Sequence, residues 1–324
     1  MTDSSNQFIT DLDDLAQGRA SKDAGSGPSG QQGAAQAAPE AESPARAFAS
    51  QPSASSAANK NQVQVLDTTT PIVLLFGPRT SGKTMTLVRL SRWLHRHGFR
   101  VEADTKFKPN DPAYEDKCEN FSKIVYADVA QPGTALDDYM LIKVCRSTHV
   151  LCQILEAPGE AYFDPRNTKA THFPPYLSQI INASRNRRIW VFLAEANWKG
   201  GLNAAYINRI ENCCTQLVSP GDRFVLLYNK VDQLAGLVFR GGQVDPAAAS
   251  REMMQEYPGM TELFRNMHPI TRLWRPYNYS FVPFTTGDYS DDVDEYGSPV
   301  VRYTQSNDRY PAMLWNAVSK YLRG

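Results

Sequence analysis

From Val63 onward, apolar runs of strand length alternate with segments whose apolar residues recur at helical spacing. The strand-length runs are 72–76, 139–145, 150–155, 189–193, 223–228 and 279–284. The helical segments are 83–97, with Leu87, Leu90 and Leu94 on one face and Gly98 past the end, then 176–186, 202–218 and 311–322. Near-continuous apolar strands read as buried on both faces, which a mostly parallel sheet with helices on either side achieves. The predicted fold class is therefore α/β, in one domain over 63–324 with no internal repeat.

Ahead of that domain the texture changes. Residues 20–61 are almost entirely Ala, Ser, Gly, Pro and Gln, with Phe48 the sole aromatic. Such a stretch cannot bury enough apolar area to offset about 1–2 kcal/mol of backbone ordering per residue, so 1–62 is expected to be a disordered arm. At its start Phe8, Leu12 and Leu15 recur at i, i+4 and i+7 among aspartates. Two readings stay open there: a short docking helix, or an acidic frayed terminus.

Charge and cysteine content remove several classes of function. The 34 Lys+Arg balance 34 Asp+Glu, so a bulk electrostatic binder of nucleic acid or of a membrane surface is not expected. No apolar run approaches the ~18 residues of a membrane span, and residues 1–18 lack a secretory apolar core. Five cysteines without a C-x-x-C pair form neither a disulfide framework nor a zinc spacing, and the five histidines form no metal spacing. A cytoplasmic protein with reduced thiols is the expectation.

The chemistry begins where the first buried strand ends. Gly77-Pro78-Arg79-Thr80-Ser81-Gly82-Lys83-Thr84 is a complete G-x-x-x-x-G-K-[ST] between a strand and an amphipathic helix. Glycines there let successive N–H groups curl around an anion, and the helix N-terminus adds its positive end. Lys83 would bridge the outer phosphates and the Thr84 hydroxyl would ligate Mg²⁺. An incidental lysine in a glycine-rich turn is the bland alternative, and the strand–loop–helix context argues against it.

With three further motifs the chain resembles the P-loop GTPases of the TRAFAC class, in the Ras-like small-GTPase superfamily, and is similar to their large, elaborated bacterial members. Asn229-Lys230-Val231-Asp232 follows the strand at 224–228 and matches N-K-x-D. The resemblance implies that Asp232 accepts hydrogen bonds from guanine N1–H and the 2-amino group, a pattern adenine cannot supply. Glu156-Ala157-Pro158-Gly159 stands where the family carries D-x-x-G. Glu156 is one methylene longer than the usual Asp and would hold Mg²⁺ through a water; Gly159 would give its N–H to the γ-phosphate. Thr134 corresponds to the first-switch threonine, a Mg²⁺ ligand, with Thr105 and Thr148 in the same interval. Phe284-Thr285-Thr286-Gly287-Asp288 is a loose counterpart of S-A-K, whose Thr286 and Gly287 N–H groups would face guanine O6.

The resemblance implies GTP/GDP and Mg²⁺ as ligands, and a slow GTP hydrolase that acts as a conformational switch for a protein partner. Its departures concern catalysis. Glu160 occupies the place of the water-orienting glutamine, and its charge is repelled by the γ-phosphate unless Mg²⁺ or an arginine lies close. Arg79, where Ras-like proteins often have a small residue, would supply that arginine, or would point to solvent or a partner. The candidate catalytic set is Glu160, Arg79, Lys83 and Thr134. Two other readings stay open: a catalytically impaired pseudo-GTPase scaffold, and an ATP-dependent P-loop enzyme in which N-K-x-D is accidental. Three expansions, 83–134, 232–279 and 288–309, are expected to meet a protein partner (another GTPase or a second copy) or to cover sheet edges. Trp274, Tyr277 and Tyr279 read as core rather than as an interface anchor. Neither nucleic-acid binding nor membrane insertion is expected.

Overall fold

Ile72–Phe76 form strand β1 and are buried without a break, because strands lie on both sides of it and helices on both faces. A computed structural model describes residues 63–126, 139–183, 185–198, 201–234, 239–240, 243–266, 269–293 and 299–322, all in the unit Ser53–Gly324. The expected arm, 1–62, and Thr134 lie outside the described residues.

After β1 come helix α1 (Lys83–Arg96), β2 (Arg100–Ala103), α2 (Pro112–Tyr126), β3 (Met140–Arg146) and β4 (His149–Glu156). There follow α3 (Gly159–Tyr162), α4 (Pro175–Ala183), β5 (Arg188–Glu195), α5 (Asn203–Gln216) and β6 (Arg223–Asn229). A small ladder, β7 (Phe239–Arg240) with β8 (Gln243–Val244), leads into α6 (Pro246–Glu256) and α7 (Pro269–Trp274). The chain ends with β9 (Tyr279–Pro283), the hairpin of β10 (Gly287–Val293) and β11 (Pro299–Gln305), and α8 (Arg309–Leu322).

The seven-stranded sheet runs β2-β3-β4-β1-β5-β6-β9. From β4 to β9 the strands are parallel, with Leu74 opposite both Leu155 and Trp190; towards the other edge β3 runs against them, and β2, antiparallel to β3, runs with them again. This is the mostly parallel α/β architecture expected from the sequence. Alternation along β1 divides the core. Val73 and Leu75 pack with Leu87 and Leu90 of α1 and with Leu314, Trp315 and Val318 of α8. Phe76 points the other way, into Phe192, Phe173, Tyr162 and Tyr206 of α5. Each fully buried side chain of this size contributes about 1.5–3 kcal/mol, so the sheet's centre is a rigid base. Its parallel strands all end at one edge, and in open α/β sheets that carboxyl edge is where ligands sit.

The expansions have structural jobs. The first builds β2, which pairs antiparallel with β3, and α2, which receives two hydrogen bonds from Arg92 of α1 at Ile124 O (3.0 and 2.8 Å). It covers a sheet edge. The second supplies α6 and the third the β10–β11 hairpin. One expectation is overturned: Trp274 is 87% exposed at the end of α7, beside exposed Leu273 and Ile270, and is not core. Tyr279 is half-buried against Phe264, while Tyr277 packs at a tilt against Tyr279 and donates its hydroxyl to Glu262. Among the described residues no helix is long and apolar enough to cross a membrane.

Candidate functional site

The loop from Gly77 to Gly82 folds back over its own start. Ser81 Oγ and Lys83 Nζ both donate to Pro78 O at 2.9 Å, and Gly82, at φ 84°, turns the chain into α1. A left-handed backbone there suits glycine alone. A Cβ on Gly77 would also sit 2.7 Å from Ser81 Oγ, and one on Gly82 would run into Asn229 Nδ2. No acidic residue occupies the first turn of α1, so nothing opposes the attraction of its N-terminus for an anion.

Two carboxylates face this loop. Glu156 closes β4, is buried, and accepts from Thr84 Oγ1 through Oε1 at 2.9 Å. Its Oε2 has no hydrogen-bond partner among the described residues. Burial pushes its carboxyl up to about 7, against the charge of Lys83 and the bond from Thr84. Lys83 is pushed below its ordinary value by burial, with Glu156 and then Glu160 opposing. An orphaned carboxylate oxygen beside a threonine hydroxyl is an all-oxygen donor set. That set fits Mg²⁺, which takes one or two protein ligands and completes its shell from water and substrate phosphates. No group of three or more His, Cys, Asp or Glu that could hold another metal occurs among the described residues.

Gly159 opens α3 directly against the loop, so close that a Cβ would run into Arg79 N and Cα and Pro78 C. The obstacle is main chain and cannot swing aside. Gly159→Ala is therefore expected to cost about 1–3 kcal/mol in overpacking, read as a lower urea midpoint. An unchanged midpoint would mean that the turn does not rest on the loop. One residue on, Glu160 Oε1 meets Arg79 Nη1 at 3.1 Å, with side chains 35% and 70% exposed. An ion pair this open contributes about 0–1 kcal/mol and breaks readily. The segment beyond it is fastened more firmly. Arg209 of α5 donates to Tyr162 O, Ala170 O and His172 O at 2.7–3.0 Å and stacks 3.7 Å from the Phe173 ring.

On the other side of the loop, Asn229 ends β6, is buried, and donates from Nδ2 to Ser81 O at 2.8 Å. Lys230 adopts φ 60°, a strained conformation of the kind that collects at functional sites, and its Nζ lies 2.5 Å from Glu195 Oε1. Asp232 is exposed in the turn that follows. Phe284 N bonds Tyr228 O at 2.8 Å and Val231 N bonds Phe284 O at 3.2 Å, which lays the loop leading to Thr286 and Gly287 alongside the Asn229 turn.

The structure thus gathers Gly77 to Thr84, Glu156, Gly159, Glu160, Asn229, Lys230, Asp232, Thr286 and Gly287 at the sheet's carboxyl edge. Thr134 cannot be placed among them, since it is outside the described residues. Sequence reasoning missed Glu195, Glu256 and Tyr257. The Tyr257 hydroxyl accepts from Glu195 N (3.1 Å) and donates to Glu195 O (2.8 Å), while Glu256 holds the Tyr228 hydroxyl at 2.6 Å. The signal for Glu195 was present: like Glu156, it is a carboxylate closing an apolar run at the same edge.

No protein-family profile matches this chain, and no curated protein sequence matches it. Solved structures similar to it include a nucleolar GTP-binding protein 1 of Plasmodium falciparum, at 12% identity and TM-score 0.39 over 81% of this chain and 90% of that one. Another is the SRβ-GTP/SRX complex of the signal recognition particle receptor of Chaetomium thermophilum, at 13% identity and TM-score 0.33 over 67% and 90%. Likenesses this distant leave the functional reading to the residues themselves.

Proposed function

We propose that the chain binds GTP and GDP with Mg²⁺, hydrolyses GTP slowly, and switches its contacts with a protein partner accordingly. One juxtaposition carries the reading: the G-x-x-x-x-G-K-T loop and the N-K-x-D turn are joined by a single hydrogen bond, Asn229 Nδ2 to Ser81 O. A phosphate cradle and a purine reader built into one crevice suit one nucleotide.

In this reading the main-chain N–H groups of the loop and the Lys83 ammonium hold the phosphates, and Asp232 takes the guanine N1–H and 2-amino group. Thr84, Glu156 and Thr134 would hold Mg²⁺, which when bound cancels charge on the β- and γ-phosphate oxygens. Glu160 accepts a hydrogen bond from the attacking water, and Arg79 beside it offsets the repulsion between that carboxylate and the γ-phosphate. Water oxygen bonds to the γ-phosphorus as the bond to the bridging oxygen breaks, and the proton leaves with inorganic phosphate. Gly159 N–H bonds the γ-phosphate and lets go after hydrolysis. Because Arg209 pins the backbone from Tyr162 to His172 to α5, the movement is confined to the few residues around Gly159. A cytoplasmic place and membership of the TRAFAC class belong to the same proposal, on the motifs alone.

A second reading, a scaffold that binds GTP without hydrolysing it, draws on Glu160 directing its carboxylate at Arg79. Calorimetry of the full chain with GTP, GDP and ATP, each with Mg²⁺, followed by a phosphate-release assay, separates the readings. The expected result is tight GTP and GDP, ATP about 10⁴-fold weaker, and phosphate released over minutes to hours. Equal affinity for ATP overturns the proposal; tight GTP with no release selects the scaffold.

A further inference from the structure

Helix α1 leaves the phosphate loop at Lys83 and carries Arg89 inward from the loop. The Arg89 side chain is 0% exposed. Its Nη2 donates to Ser306 O and to Asp308 Oδ1, both at 2.6 Å, and its Nε to Ser306 Oγ at 3.3 Å. A buried guanidinium is costly unless paired and hydrogen-bonded, and these contacts meet most of that need. Arg96, two turns along the same helix, reaches the same Asp308 oxygen at 2.9 Å and Gln305 Oε1 at 3.3 Å.

Those partners form the stem of the hairpin. Gln305 pairs with Gly287, and Ser306 donates its N–H to Thr286 O at 3.1 Å. A short chain of bonds therefore runs from the helix of the phosphate loop, through Arg89 and Ser306, to Thr286. The Asp232 turn has a separate anchorage, in Val231 N to Phe284 O and in Asn229 to Ser81.

We infer that Arg89 and Asp308 are positioning residues that hold Thr286 and Gly287 over the crevice, so that selection at the purine 6-position depends on the helix that begins at the phosphates. The inference rests on the nucleotide reading above, in which the N–H groups of Thr286 and Gly287 face guanine O6 while Asp232 faces N1 and the 2-amino group. Different ligands report the two readers. Inosine triphosphate lacks only the 2-amino group and tests Asp232; 2-aminopurine riboside triphosphate lacks O6 and with it the N1 hydrogen, so it brings in Thr286 and Gly287 besides the N1 contact of Asp232. The inosine ratio shows whether Asp232 itself has shifted. The Asp308 carboxyl sits below its ordinary range; its partial burial acts the other way and is outweighed by the hydrogen bond and charge of Arg89, with Arg96 adding to them. Asp308→Asn weakens the strut at a side chain that is 49% exposed, and so opens no cavity. Arg89→Lys keeps the charge but loses the fork that spans three acceptors.

The test measures affinities of the full-length parent and both variants for GTP and the two analogues, with thermal unfolding as a check on folding. In Asp308→Asn the preference for GTP over the 2-aminopurine nucleotide should fall about tenfold, the scale of one hydrogen bond, while the preference over inosine triphosphate stays at the parental value. Arg89→Lys should repeat the pattern; if it does not fold, Asp308→Asn decides. Parental ratios for both ligands overturn the strut, and so does an equal fall in both, which would mean general loosening. A parent indifferent to the base overturns the nucleotide reading and the strut together, whereas a discriminating parent with an unaffected variant overturns the strut alone.

Discussion

Asp232→Asn is expected to lower GTP affinity by about 10⁴-fold and to turn the site toward xanthosine triphosphate. The carboxylate offers two acceptors to two guanine donors. An amide offers one acceptor and one donor, so its NH₂ confronts the 2-amino group of guanine and suits the 2-oxo group of xanthine. The substitution is clean because Asp232 is exposed and its turn is anchored by neighbours: Asn229 on Ser81, and Val231 N on Phe284 O. Thermal stability should stay within about 0.5 kcal/mol of the parent, as for a surface change that touches no such anchor. Competition binding with the two triphosphates is the measurement. Unchanged GTP affinity would show that Asp232 reads no base.

Arg79→Ala should reduce single-turnover GTP hydrolysis by about 10³-fold, the lower end of what a charge-stabilising arginine supplies. The reason lies in the pair at 3.1 Å. Remove the guanidinium and Glu160 presents an unopposed negative charge to the γ-phosphate. Adding Glu160→Gln to that variant should then recover about tenfold, because the repulsion goes with the charge. A double-mutant cycle gives the coupling directly, and the two side chains are close enough for it to be large. Rates that multiply independently, or an Arg79→Ala variant as fast as the parent, would remove Arg79 from the mechanism and leave it as an exposed partner of Glu160.

Much of the architecture was legible because the central strands are buried on both faces and carry little but apolar residues. Ile72–Phe76 and Arg223–Asn229 could hardly be anything else. The G-x-x-x-x-G-K-T loop was legible for a different reason: glycine at 77 and 82 answers to contacts that a Cβ would violate, so spacing alone reports geometry. Elements held by bonding rather than by burial left weaker traces. Arg100–Ala103 places a single buried residue, Val101, in four positions, and its strand character comes from pairing with β3. The β10–β11 hairpin holds an acidic run, Asp291 and Asp292, that reads as a loop until the antiparallel register is seen. Trp274 failed for want of context, since an aromatic cluster has one composition whether it faces inward or out, and α7 is too short to show a period. Tyr257 meets Glu195 across distant parts of the chain, so although the place of Glu195 at the end of an apolar run is a local signal, nothing local announces its partner.

Both margins of the large sheet are abbreviated. On one side β2 offers four residues, with Arg100 and Glu102 paired at 3.0 Å through side chains open to solvent; on the other β9 offers five and ends in Pro283. A foreign strand seeking main-chain bonds would find little to zip against and two charges to displace. Edge-to-edge tiling of copies through this sheet is therefore disfavoured, and a visiting polypeptide would be expected to engage it by side chains on loops and helices, where sequence rather than backbone decides who is admitted.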